Sequence, residues 1–156
     1  MAKRKQILKL GLDSDISLIG ISCHLKSYRL SFAMDDSLGL SFRRINDFEI
    51  PGHDENILKY PFLMYEDTEL KNQFCLVGNH HPQGKLVPAL RQVDYFFVAR
   101  DPLEKAAFGM ILKKIRSIPS VQAAYQVDPA RTKDVSQLLE EMELHLLIAG
   151  KSYSAE

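Results

Sequence analysis

DYFFVARDPLEKAAFGMILKKIRSIPSVQAAYQVD, residues 94–128, is the stretch on which the fold turns. Tyr95-Phe96-Phe97-Val98-Ala99 is a continuous apolar run, the pattern of a strand covered on both faces. Asp101-Pro102-Leu103-Glu104 carries the chemistry of a helix start: Asp101 to cap, Pro102 for the first turn, Glu104 to complete a capping box. Phe108, Ile111, Leu112 and Ile115 then share one helical stripe. Lys113, Lys114 and Arg116 crowd the last turn, where positive charge complements the helix dipole, and Pro119 ends the helix. Val121, Ala123, Tyr125 and Val127 alternate with Gln122, Ala124 and Gln126, so a second strand follows at once. Strand, helix, strand predicts a βαβ unit with a right-handed crossover.

Downstream, Asp134 can cap a helix over 134–149 whose stripe is Val135, Leu138, Leu139, Met142 and Leu146, with Gly150 as its stop. Leu144, Leu147 and Ile148 lie off that stripe. They are therefore candidate oligomer contacts, unless the end is wedged into the core or switched to a strand at 144–149. Upstream, Leu8, Leu10 and Leu12 alternate as in a half-buried strand. Ile21, Leu25, Tyr28 and Phe32 fall on one helical stripe, predicting a helix over 23–38 with Ser22 as N-cap and Gly39 as the stop. Residues 40–50 fit either a strand or an irregular extended segment. Pro51-Gly52-His53-Asp54 signals a turn. The runs Tyr60–Tyr65 and Gln73–Val77 predict a hairpin joined by the polar residues 66–72. A loop rich in turn formers, 78–84, comes next.

These elements predict an α+β domain over residues 1–156, mainly antiparallel, with one βαβ crossover, helices chiefly on one face and a C-terminal helix. By analogy of element order, its C-terminal half suits a ferredoxin-like or regulatory-domain-like topology.

Composition agrees with one folded domain. The 156 residues are 46% hydrophobic and 26% charged, enough to build a core without metal or disulfides. Cys23 and Cys75 each sit in a mostly apolar segment and read as buried free thiols. The basic start, Met-Ala-Lys-Arg-Lys-Gln, precedes an apolar stretch broken by Lys9, Gly11 and Asp13, too short for a signal-peptide core. No run reaches the ~18 apolar residues of a membrane span, so a cytoplasmic protein is expected.

The formal net charge is zero, which weakens a general case for nucleic-acid or anionic-membrane binding. Its distribution is uneven. Residues 1–44 carry eight basic and four acidic side chains, 45–70 one and seven, 71–133 ten and four, and 134–156 one and five. Complementarity between these blocks within the fold is the simplest expectation.

No motif carries chemistry. Gly78 and Gly84-Lys85-Leu86 are separated by one residue too many for a phosphate-binding loop, and Leu86 replaces the Ser or Thr that holds magnesium. His53-Asp54-Glu55 has the His-x-Glu of zinc deaminases without Pro-Cys-x-x-Cys. Cys23-His24, Cys75 and His80-His81 lack metal-ligand spacing. There is no Gly-x-Ser-x-Gly elbow and no dinucleotide fingerprint. No cofactor, metal or catalytic residue is expected.

Val87-Pro88-Ala89-Leu90-Arg91-Gln92-Val93-Asp94-Tyr95 resembles the motif Ile-Pro-Glu-x-x-x-Val-Asp-Tyr that names a bacterial family of unknown function, the IPExxxVDY family. Pro88, Val93, Asp94 and Tyr95 match, and Val87 is a conservative replacement. Gly20-Ile21-Ser22 and Leu25-Lys26-x-Tyr28-Arg29-Leu30 also resemble that family's N-terminal half, so the likeness runs over about 5–128. The family's glutamate is Ala89 here, so no acid–base role passes to that position. The expected role of the motif is structural: Pro88 sets a rigid entry, and Asp94 bonds backbone amides as the Tyr95 strand begins.

The function expected from these readings is non-enzymatic binding of another macromolecule, with homodimer formation through Leu144, Leu147 and Ile148. A dimeric small-ligand regulatory module is the alternative. A third is RNA binding through Lys85, Arg91, Arg100, Lys113, Lys114 and Arg116.

Overall fold

The computed structural model describes residues 16–51, 56–130 and 133–154. The predicted strand at Leu8–Leu12 lies outside them. Eight strands are present among the described residues: β1 (Ser17–Cys23), β2 (Arg43–Arg44), β3 (Phe48–Pro51), β4 (Ile57–Tyr60), β5 (Phe62–Asp67), β6 (Asn72–Gly78), β7 (Tyr95–Ala99) and β8 (Val121–Val127). Three helices accompany them: α1 (Ser27–Leu38), α2 (Lys105–Ser117) and α3 (Lys133–Ser154).

Six strands form one sheet in the order β2-β5-β6-β7-β1-β8, every neighbouring pair antiparallel. β3 and β4 make a separate two-stranded ribbon. The predicted crossover is present in split form. β7 and β8 are each antiparallel to β1, hence parallel to one another, and β1 occupies the place between them. With β6, the elements β1-α1-β6-β7-α2-β8 follow the ferredoxin-like β-α-β-β-α-β order, extended at one edge by β5 and β2.

The apolar run of β7 is buried on both faces because helices cover one and a different layer the other. On the first face Leu30 and Met34 of α1 and Ile111 and Ile115 of α2 pack on Ile19, Ile21, Phe74, Leu76 and Phe97. On the second, Val135, Leu138, Leu139, Met142 and Leu146 of α3, with Phe48 and Tyr60 of the ribbon, pack on Leu18, Phe62, Cys75, Val77, Phe96 and Val98. Two helices thus share one face, and α3 lies on the other. Cys23 and Cys75 are free and buried in the two different layers. Burial pushes the Cys75 thiol up to about 12.

Several local expectations are corrected. Ile21 belongs to β1, so the stripe it forms with Leu25, Tyr28 and Phe32 crosses a strand–helix junction. α1 starts at Ser27, with Lys26 at the N-cap and no side-chain cap; Tyr28 and Phe32 are 62% and 76% exposed, and the buried face is Ser27, Leu30, Ser31 and Met34. Ser22 instead donates its hydroxyl to the Gln92 carbonyl at 2.6 Å. Gly39 does end the helix, at φ 70°, its N–H bonded to Asp35 O. α2 begins later than its capping box implied, with Glu104 at the N-cap and no side-chain cap bond. In β8 the buried residues are Val121, Ala124 and Val127: a register shift against Ser22/Cys23 puts Val121 and Ala124 on the helical layer, while Val127 is buried in the opposite one. α3 runs beyond the expected 149, through Ser154, and remains helical where a strand was the alternative.

Candidate functional site

The motif segment forms the loop that carries the chain from β6 to β7. Val87 and Val93 are fully buried, while Pro88 and Ala89 are exposed. Asp94 works as expected: its carboxylate Oδ2 accepts the Cys23 backbone N–H at 2.8 Å, and its own N–H donates to Ile21 O at 2.8 Å. It extends the β7–β1 pairing past Tyr95, joining strands distant in sequence. The Tyr95 hydroxyl donates to Leu25 O at 2.5 Å and ties the entry of α1 to the same place.

The organiser of this loop is a residue that sequence reading passed over. Asn79 is fully buried. Its Nδ2 donates to Val93 O at 2.7 Å and to Leu90 O at 3.1 Å, and its Oδ1 accepts the Val87 N–H at 2.6 Å. Its backbone accepts from Leu86 N at 2.9 Å and donates to Asp94 O at 2.8 Å. One amide side chain thus stands in for the ladder partners that an irregular buried segment lacks. Gly20 makes the room, since a Cβ there would come within 2.9 Å of Val93 Cγ2.

Burial, with repulsion from the neighbouring Cys23 sulfur and Asp94 carboxylate adding to it, pushes the Tyr95 phenol up to about 12. The folded state holds the proton more tightly than the unfolded chain, whose tyrosines ionise near pH 10. The stabilisation is therefore complete below about pH 10 and is lost as pH rises from 10 to 12. Tyr95→Phe is expected to cost about 1 kcal/mol at pH 8. It should also flatten the loss of stability between pH 10 and 12, measured by urea unfolding at each pH.

The six basic residues proposed as an RNA surface are split between layers. Lys113, Lys114 and Arg116 end α2 on the helical face, and Arg116 Nε donates to Ala124 O of the edge strand β8 at 2.7 Å. Lys85 and Arg91 sit in the motif loop, whose Leu86, Val87, Leu90 and Val93 pack into the α3 layer. Arg100 is half-buried and committed within the fold: Nε bonds Glu143 Oε1 at 3.0 Å, and its terminal nitrogens bond Glu143 Oε2 and Gln73 Oε1. Burial alone would lower the pKa of Arg100, but Glu143 more than offsets that and holds it above the usual guanidinium value. This pair fastens α3 to the end of β7.

Leu144, Leu147 and Ile148 do converge. They lie on α3 at 61%, 64% and 60% exposure. Leu144 and Ile148 form one wall of a furrow of about 620 Å³ between α3 and the ribbon, whose other wall is the consecutive stretch Asn46–Pro51 together with Lys59. The buried Phe48 ring lies in its floor, edge-on to His145 at 5.4 Å between centroids, and His145 Nε2 pairs with Asn46 O at 2.8 Å. Past Ile50 and Glu141 the furrow continues into a recess of about 160 Å³ bounded by Leu86, Pro88, Asp134, Gln137 and Leu138. The exposed proline of the motif therefore lines the furrow's end, held there by Asn79.

A second cleft, of about 340 Å³, opens between α1, α2 and the β5–β6 hairpin, lined by Leu38, Leu40, Phe74, Phe97, Met110 and Ile111. Among the described residues, no three His, Cys, Asp or Glu side chains gather to hold a metal ion, and no helix is long and apolar enough to cross a membrane. The chain matches no known family model, and no curated protein or solved structure is significantly similar to it.

Proposed function

We propose that this chain is a non-enzymatic binding module, related through its VPALRQVDY loop to the IPExxxVDY family, that docks a segment of another macromolecule in the furrow between α3 and the β3–β4 ribbon. The observation that carries the reading is the row Leu144, Leu147 and Ile148, three large aliphatic side chains all at least 60% exposed, beside a furrow with an apolar floor. Scattered exposed leucines are ordinary on a protein surface, but a contiguous apolar row bordering a groove marks an interaction site. The rigidity of its walls supports the same reading. The Arg100–Glu143 pair and His145 anchor α3, and the Asn79 cluster anchors the loop at the far end.

The triple variant Leu144→Ser/Leu147→Ser/Ile148→Ser tests it. These side chains are already in water, so the variant should keep its melting temperature within about 2 °C. Partners captured by the full chain from its host, and then reconstituted from purified components, should lose at least tenfold in affinity. If the folded variant retains each reconstituted partner at full affinity, the furrow is not the docking site. Light scattering of the full chain tests the homodimer in the same preparation: a dimer that the triple variant dissolves would make the second copy the occupant.

The cleft between α1, α2 and the β5–β6 hairpin favours the alternative, a small-ligand regulatory module. That reading requires a saturable thermal shift with a metabolite, abolished by filling the cleft with Ala107→Phe.

A further inference from the structure

The partner's chemistry can be read from how the charge blocks fold. The ribbon belongs to the acidic block 45–70, and α3 to the acidic block 134–156. The fold sets some of these carboxylates against basic blocks, Glu143 on Arg100 and Asp47 on Arg44, and it also places the two acidic segments as the facing walls of one furrow. Asp47, Glu49 and Glu141 line the main groove with Lys59 as the basic residue among its lining, and Asp134 with Glu141 lines the recess. Lys59 Nζ lies 4.0 Å from Glu49, and Asp47 Oδ1 takes Arg44 at 2.9 Å, so both of those contacts sit on the ribbon wall. With Asp47 and Glu49 each beside a cation, the net negative charge of furrow and recess comes from Glu141 and Asp134, next to the apolar Phe48, Ile50, Leu144 and Ile148.

Length and backbone chemistry narrow the class further. The α3 wall runs from Asp134 to Ile148, which at 1.5 Å per residue is about 21 Å, the span of a helix of about 14 residues. A peptide added as a strand would have to pair with β3, but β3 is four residues long, ends in Pro51 with no N–H to give, and follows Asn46, whose carbonyl is held by His145. A helix needs no backbone partner from the groove and can present leucines to the floor and lysines to the acidic rims.

Resting on the docking role assigned above to this furrow, we infer that its partner is a cationic amphipathic helix of about 14 residues carried by another protein. Binding is electrostatically steered at the rims and held by apolar burial at Leu144 and Ile148.

The probe is a fluorescein-labelled 14-residue peptide with leucines at helical i, i+3, i+4, i+7 spacing and lysines elsewhere, titrated by anisotropy against the full chain. A peptide with glutamates in place of the lysines is the control. The expected result is saturable one-to-one binding, at least tenfold tighter for the lysine peptide. It should weaken at least tenfold in Glu141→Lys and, separately, in Leu144→Asp, with the circular dichroism melt of each variant unchanged. Tighter binding of the glutamate peptide, lost in Leu144→Asp, would overturn the basic-helix class while leaving the furrow as the docking site. Lysine-peptide binding that survives both substitutions would place it elsewhere and overturn the inference. Binding that emerges only after removal of residues 1–15 would assign the furrow to the chain's own Lys- and Leu-rich beginning, which also overturns a foreign partner. Saturable binding of neither peptide at millimolar concentration overturns the helix class, and the triple serine variant then judges the docking reading on its own.

Discussion

A chain ended after residue 132 is expected to lose its cooperative fold. α3 buries Val135, Leu138, Leu139, Met142 and Leu146 against the sheet, each almost wholly removed from water. At roughly 1.5–3 kcal/mol for each such side chain, their burial contributes on the order of 10 kcal/mol. That is comparable to the whole net stability of an ordinary domain, about 5–15 kcal/mol. The loss extends to the sheet, since Phe62, Cys75, Val77, Phe96 and Val98 would face solvent on the uncovered side. Arg100 would also lose the carboxylate that holds it at the end of β7. Urea titration by circular dichroism and dye binding should show a broad, non-cooperative transition and exposed apolar surface. A truncated chain that unfolds sharply near the full-length midpoint would contradict this assignment. The contrast with the triple serine variant is informative because the same helix presents a structural face and a solvent-exposed one. Deletion confounds the two; surface substitution separates them.

Asn79→Ala is expected to cost about 3–5 kcal/mol. It would orphan the Val93 carbonyl and the Val87 amide inside the protein, at about 1–3 kcal/mol for each buried group left unmade, and leave the Leu90 carbonyl with the Val93 N–H alone. For a chain of this size that lowers the melting temperature by roughly 10 °C. The Val87 amide should change from slow to fast hydrogen exchange, because its acceptor is gone. Leu86 and Pro88 would lose their fixed placement at the end of the furrow. A shift below about 2 °C with Val87 still protected would show that the loop is held by packing alone.

Legibility in the sequence followed the range of the interactions. α2 and β7 were readable because helix stripe, terminal charge and uninterrupted apolar run are local signals, and the β5–β6 hairpin because its turn is encoded in adjacent residues. The turn itself is built by Asp67, whose Oδ1 accepts the Glu69 and Leu70 N–H groups at 2.9 and 3.0 Å. β1 was obscured because Ile21 and Leu25 mimic a helical repeat at the junction with α1. Asn79 was illegible: a turn-forming residue after a strand reads as a surface loop, and only the irregular fold of residues 86–94 back onto it supplies its partners. The furrow was half legible. Leu144, Leu147 and Ile148 stand out as surplus apolar residues on α3, but the ribbon that faces them is 80–100 residues away in sequence.

The sequence by itself determined the α+β class, the strand–helix–strand centre, the C-terminal helix with its excess apolar face, and the alternation of basic and acidic blocks. Each of these is set by periodicity or composition along contiguous sequence. Only the tertiary structure decided that β1 separates β7 from β8, that α3 covers the sheet face opposite α1 and α2, and that the two acidic blocks face each other across a furrow. Strand order and face are chosen by which apolar surfaces bury together, and that choice depends on the whole chain at once.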